Sequence, residues 1–166
     1  MVPSYDLNWR QMRAMILQTN QQPWGRGVFE VVIHQHMPMF HMEHCVFAHT
    51  LSDGRDYRTC GRPCDRHRVA LRDRMGVDHP LVADVGCRNT VFNGQAQSGA
   101  DYVDEMIKLG VVDFRVELLR ENPAEAVALL GRYARLVTGQ DKPTATMRAL
   151  RAVRQLGVVP GTLERE

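Results

Sequence analysis

The 166-residue chain predicts an α/β fold, and three observations carry the prediction. Apolar residues recur at helical spacing in several separate segments. β-branched and aromatic runs lie between those segments. Strands and helices alternate along the chain, which implies parallel pairing. The composition, 44% hydrophobic and 24% charged, is that of an ordinary globular protein, and the length suggests one domain.

Val2 to Leu7 reads as a short strand. Asn8 is an N-cap for "WRQMRAMILQT", whose Trp9, Met12, Met15 and Ile16 fall at helical spacing. "QQPWGRG" is a loop, and "VFEVVIHQHMPMF" (Val28 to Phe40) opens as a buried strand. His34 and His36 alternate onto one face of it and read as ordinary, partly exposed strand residues. From His41 to Asp65 there is no clean periodicity, and Gly54, Gly61 and Pro63 break the segment further. It reads as a long loop, and long ordered loops in compact domains are usually functional.

"HRVALRD" and "HPLVADVG" form an expected hairpin leading into a loop at Cys87. "SGADYVDEMIKLGV" is a helix closed by Gly110. Asp113 to Leu119, "DFRVELL", is a strand. Its Phe114, Val116 and Leu118 should face the helices, with Arg115 and Glu117 on the other side. Asn122-Pro123 starts a helix that runs to Gly139. A last helix spans Thr144 to Leu156, followed by a frayed tail. The expected organisation is a main domain over 1–140 with a cysteine-rich insertion at about 41–90, then a C-terminal helix and tail over 141–166. About four parallel strands are countable, where a complete β/α barrel has eight and typically ~250 residues. As barrel material, the chain holds roughly half of one.

The net charge of +2 does not by itself imply a nucleic-acid partner. Arginines nevertheless gather at Arg55, Arg58, Arg62, Arg66, Arg68, Arg72, Arg74 and Arg88. Guanidinium suits bidentate recognition of carboxylate or phosphate. The plainer reading is a solvated face paired with Asp53, Asp56, Asp65 and Asp73. The opening "MVPSYDLNWRQ" lacks a basic start and an apolar core, and no apolar run approaches the ~20 residues that span a bilayer. The expected location is the cytoplasm. In a reducing compartment, clustered cysteines are metal ligands or redox groups more often than disulfides.

Three of the four cysteines crowd into one loop. Fourteen residues separate Cys45 from Cys60, three separate Cys60 from Cys64, and twenty-two lead on to Cys87. The Cys-x3-Cys spacing lets two thiolates face one ion or one cluster edge, and Cys87 arrives just after an expected strand. Four thiolates are the usual shell of an iron–sulfur cluster and also suit structural zinc. Zinc sites of four cysteines commonly pair two short Cys-x2–4-Cys knuckles, and this sequence has one, so zinc stands second. The alternative is a set of small buried hydrophobes. Among the histidines, His44 beside Cys45 is the candidate additional ligand.

"MFHMEHCVFA", "CGRPC", "LRDRMGVDHPLVADVGCRNTVFN" and "LGVVDFRVELL" together resemble the collagenase-like peptidase family, peptidase family U-thirty-two, over about Val2 to Leu136. The resemblance lies in the order and setting of the cysteines. The family signature carries a second cysteine seven residues after the first, where this chain has Ser52. The resemblance implies the C-terminal part of a TIM-type β/α-barrel domain, with the cysteine-rich loop and hairpin inserted. It also implies a 4Fe–4S cluster on Cys45, Cys60, Cys64 and Cys87, and oxygen-independent hydroxylation of RNA bases or a quinone. Other members of the family are called proteases. The chain would then need the missing N-terminal half of its barrel or a partner chain, with RNA or a related family protein as further partners.

Three functions follow. In the first, an iron–sulfur hydroxylase, Arg88 and Arg115 hold an anionic substrate and Glu117 acts as acid or base. A structural Arg115–Glu117 ion pair is the plain counter-reading. In the second, a peptidase, an activated nucleophile or metal-bound water is needed. The chain has neither His-Glu-x-x-His nor Gly-x-Ser-x-Gly. The third is a non-catalytic binding module stabilised by zinc.

Overall fold

The computed structural model describes residues 1–153, 158–159 and 161–163. They form a mixed α/β structure with helices α1 (Trp9–Asn20), α2 (Val46–Leu51), α3 (Val103–Lys108), α4 (Pro123–Val137) and α5 (Pro143–Val153). The strands are β1 (Glu30–Met42), β2 (Val69–Arg72), β3 (Asp78–Ala83), β4 (Asn89–Ser98), β5 (Asp113–Val116) and β6 (Val158–Val159). Main-chain hydrogen bonds order them β2-β3-β4-β1-β5, with β6 also on β4. The β1–β5 and β4–β6 pairs are parallel, whereas β2–β3 and β3–β4 are antiparallel. No helix among the described residues is long and apolar enough to cross a membrane.

The chain divides into two compact units, and β1 and β4 each contribute to both. Residues 1–36 and 95–166 make the first. Its core gathers Trp9, Met12 and Ile16 of α1, Val31 and Ile33 of β1, and Leu129, Tyr133 and Leu136 of α4. These α1 residues are one stripe at helical spacing, which is why α1 forms and which way it turns. Asn8 closes the helix start as a capping box with Gln11. Asn122 and Glu125 form the same box on α4, with Pro123 in the first turn. β5 aligns with β1 from Glu30↔Asp113 onward, and Phe114 and Val116 pack against the core.

Met37–Gly94 make the second unit. β2 and β3 form a hairpin, in register from Val69↔Leu81 to Arg72↔Asp78. Its turn is organised by Asp73, whose Oδ1 accepts the main-chain N–H of Met75 at 2.8 Å and of Val77 at 2.9 Å. Phe47, Leu81 and Val91 form the buried cluster of this unit. That is a small core for a chain segment of this length.

Several expectations change. Val2 to Leu7 is not a strand: the residue before it, Met1, accepts the Glu30 N–H at 2.9 Å and donates its amine to the Val28 carbonyl, and the Tyr5 carbonyl accepts the Thr162 hydroxyl at 2.7 Å. The long loop contains α2, a short helix ending at Leu51. The residues after Cys87 are not loop but the ten-residue strand β4. β5 ends at Val116, so Leu118 leaves the alternation and is 45% exposed. His34 is buried, not partly exposed. The tail is not simply frayed, because Val158–Val159 pair with Ala96 and Gln97, and Leu163 is buried. The expected helix end at Leu156 lies outside the described residues.

Candidate metal centre

The cysteine loop is built from turns that few residues tolerate. Gly61 and Arg62 both take left-handed backbone, at φ 65° and 53°. Pro63-Cys64-Asp65 then form one tight 3-10 turn. The same device recurs at Gly86 and Cys87, with φ 80° and 62°. A left-handed residue other than glycine costs roughly 1–2 kcal/mol. Arg62 and Cys87 therefore carry strain that surrounding structure must impose, and such strain gathers at functional sites. The two strained pairs re-aim the chain immediately beside Cys60, Cys64 and Cys87.

Cys45 is placed differently. It is the residue before α2, and the first helical N–H, that of Val46, donates to Asn89 Oδ1 at 2.7 Å. Asn89 Nδ2 reaches the Cys45 sulfur at 3.9 Å. Asn89 is fully buried at the start of β4, so one amide ties the first cysteine to the strand that follows the last. Sequence reasoning missed Asn89. The only sequence signal is its place two residues after Cys87, in "CRNT".

All four cysteines are unpaired and line one cavity of about 670 Å³, with Tyr57 and Arg62 in the same wall. Cys45 and Cys64 also pack against the Phe47–Leu81–Val91 cluster. Burial pushes the Cys87 thiol above its ordinary value, and Cys45, Cys60 and Cys64 add to the rise, opposed by Arg62. Four thiolates within electrostatic reach repel one another, and a bound cation relieves that repulsion. By residue type, though not by the present placement of the side chains, four cysteines are donors that suit a thiolate-bound metal or cluster. As the side chains stand, no three His, Cys, Asp or Glu groups among the described residues close on a point that could hold an ion. Cys64 Sγ instead lies 4.0 Å from Asp65 Oδ1.

A second cavity of about 530 Å³ shares Cys45, Cys60 and Cys87 and adds His44, His49 and Ser52. The His44 and His49 rings meet edge to face, 5.2 Å between centroids. No imidazole is hydrogen-bonded to Cys45 among the described residues, so the His44–Cys45 neighbours do not form a thiol–imidazole pair.

The other expected site residues sit elsewhere. Arg88 Nε donates to the Val85 carbonyl at 3.3 Å. Arg115 makes a two-pronged pair with Glu30, at 2.7 and 2.9 Å, and lies 3.5 Å from Glu117. The pair holds the Glu30 carboxyl below its ordinary value. Both cysteine-lined cavities draw their walls from residues 43–65 and 83–87, so Arg88, Arg115 and Glu117 are not among them. Of the arginines near the cysteines, Arg72 pairs with Asp78 at 2.7 Å and Arg62 with Asp65 at 3.2 Å, both as exposed pairs. Exposed pairs of this kind contribute little stability.

A polar cluster that sequence reasoning did not single out lies inside the first unit. Tyr133 Oη meets Ser98 Oγ at 2.6 Å and His34 Nδ1 at 3.1 Å. Burial raises the Tyr133 phenol far above its ordinary value. His36 Nε2 lies 3.7 Å from Glu121, both side chains being nearly inaccessible.

The fold and site define an α/β chain with four free cysteines around one cavity. Comparison with protein-family models, with curated proteins and with solved structures finds no match.

Proposed function

We propose that this chain is an iron–sulfur protein of the collagenase-like peptidase type, with Cys45, Cys60, Cys64 and Cys87 as ligands of a 4Fe–4S cluster. The observation that carries the reading is the single cavity lined by all four thiols. The strained turns at Arg62 and Cys87 add support, because they aim ligands rather than pack a core. When bound, a cluster supplies electrons in single steps. The reaction we propose is an oxygen-independent hydroxylation, on RNA or a quinone. Arg88 and Arg115 as anion-holding groups and Glu117 as acid or base belong to this proposal. In the same reading the α/β structure is about half of a TIM-type barrel, completed by a further segment or a partner chain, in the cytoplasm.

Anaerobic purification with iron and sulfide analysis tests the centre. Absorbance near ~400 nm is expected from thiolate-bound iron. Each Cys→Ser variant should lower iron content, and a colourless protein free of iron would sink the reading.

One observation favours a second reading, a zinc-stabilised binding module. The Met37–Gly94 unit has a buried cluster of three apolar residues, and small cores commonly rely on a metal staple. Stoichiometric zinc with no iron would select it. The peptidase reading has no such support: the side chain that reaches the Cys45 sulfur is Asn89, and a thiol nucleophile needs a base beside it.

A further inference from the structure

The second cavity is more than an extension of the first. Cys45, Cys60 and Cys87 are common to both, whereas Cys64 and Arg62 line the first alone. A centre held by the four cysteines would therefore present its Cys45–Cys60–Cys87 side to the second cavity. Beside the cysteines that wall carries Arg55, His44 and His49 together with the carboxylates of Glu43 and Asp56, and Ala48 gives it an apolar part.

The segment that carries Arg55 and Tyr57 is braced from within. Asp56 Oδ1 accepts the N–H groups of Arg58 and Thr59, each at 3.0 Å, and the Thr59 hydroxyl at 2.9 Å. These bonds hold the Asp56 carboxyl below its ordinary value. Thr59 Oγ1 in turn accepts the Arg55 N–H at 3.0 Å. A Cβ on Gly54 would lie 2.3 Å from the Thr59 carbonyl oxygen, so the segment closes only on glycine there. The polar groups of the segment thus satisfy one another. The Arg55 guanidinium is exposed at the cavity and makes no hydrogen bond or ion pair among the described residues, and the exposed Glu43 carboxylate makes none either.

We propose that the second cavity binds the oxyanion group of a small ligand, a phosphate ester or a carboxylate, on Arg55, with His44 and His49 as further N–H donors. The inference rests on the proposed metal centre only for why a ligand belongs beside the cysteines. The planar, permanently charged guanidinium matches a two-oxygen anion. Asp56 keeps its charge while bonded to its own segment and opposes an anion, so Arg55 must outweigh it. Glu43 repels an anion, so its removal should have the opposite sign to removal of Arg55.

Isothermal titration of the full chain as purified, with phenyl phosphate, benzoate and phenol, tests the proposal. One or both anions should bind, their relative affinity distinguishing phosphate from carboxylate ligands, and phenol should bind at least about tenfold more weakly. Arg55→Gln should weaken anion binding at least about tenfold, and Arg55→Lys should retain part of it. Glu43→Gln should tighten it. Arg66→Gln, whose guanidinium is bonded to the Gly61 carbonyl, should leave it unchanged. The site is overturned if neither anion binds the parent chain, or if Arg55→Gln binds as the parent does. Iron and zinc content of the same samples reads the metal centre separately. A metal-free chain that still binds through Arg55 overturns the cluster and keeps the anion site. A metal-loaded chain indifferent to Arg55→Gln does the reverse.

Discussion

Asn89 makes two connections from a fully buried position: it accepts from the Val46 N–H at 2.7 Å and lies 3.9 Å from the Cys45 sulfur. Replacing it with Ala leaves a helix-start N–H without its partner. The expected loss is about 1–3 kcal/mol, read from denaturant unfolding. On the proposed cluster, iron content should fall in the same variant, because Cys45 loses its tether. An Asn89→Ala protein that keeps both stability and iron would show that Cys45 is positioned by α2 alone. Tyr133→Phe is the corresponding test in the first unit. The hydroxyl meets Ser98 at 2.6 Å and His34 at 3.1 Å, and its removal should cost about 1 kcal/mol. Asn89 and Tyr133 were invisible as structural keys in the sequence for one reason. An amide or phenol reveals its partner only when a distant segment arrives beside it.

At the scale of elements, the starts of α1 at Asn8 and of α4 at Asn122-Pro123 were legible in advance because their signals are local; the structure adds the reciprocal half of each cap. Asn8 and Gln11, and Asn122 and Glu125, satisfy the first-turn donors within four consecutive residues. Asn122→Ala should destabilise the chain by about 1 kcal/mol, and Asn122→Asp should restore most of that, as thermal unfolding would show. The β2–β3 turn gives a pH prediction. The Val77 N–H, the His79 ring and the Met75 N–H hold the Asp73 carboxyl below its ordinary value of 3.8. A carboxyl lowered in the folded state stabilises fully above its unfolded value and loses that contribution as pH falls through the folded one. The hairpin should therefore open below about pH 4, seen as faster amide exchange at Val77, and Asp73→Asn should flatten the response. The Gly94 N–H donates to His79 Nδ1 at 3.1 Å, which assigns the ring proton to Nε2, facing Asp73. β4, like α2, is an element that sequence reading failed to see. "NTVFNGQAQS" is too polar to resemble a buried strand, yet Asn89, Thr90, Gln97 and Ser98 are buried. Each is partnered from outside the strand: Val46, His41, Thr162 and Tyr133 respectively. A polar strand can be buried when its partners come from elsewhere, and propensity contains no information about them.

For the molecule as a whole, the two units have unequal cores. The first gathers its apolar residues from α1, α3, α4, α5, β1 and β4, whereas the second rests on Phe47, Leu81 and Val91. On the proposed metal centre, binding should then stabilise them unequally. Hydrogen exchange with and without reconstituted iron should show added protection over Met37–Gly94 and little change over α1. Equal protection everywhere would mean that the centre is not local to the cysteine unit. Periodicity, caps and the Asp113 strand fixed most element positions from the sequence alone, because each is decided by neighbours a few residues away. The cysteine spacing likewise singled out four residues that come to line one cavity. Three things required the tertiary structure: the helix inside the cysteine loop, the burial of β4, and the single cavity that Cys45, Cys60, Cys64 and Cys87 line. Each depends on groups far apart in the chain meeting in space, and neither local propensity nor spacing encodes which of them will meet.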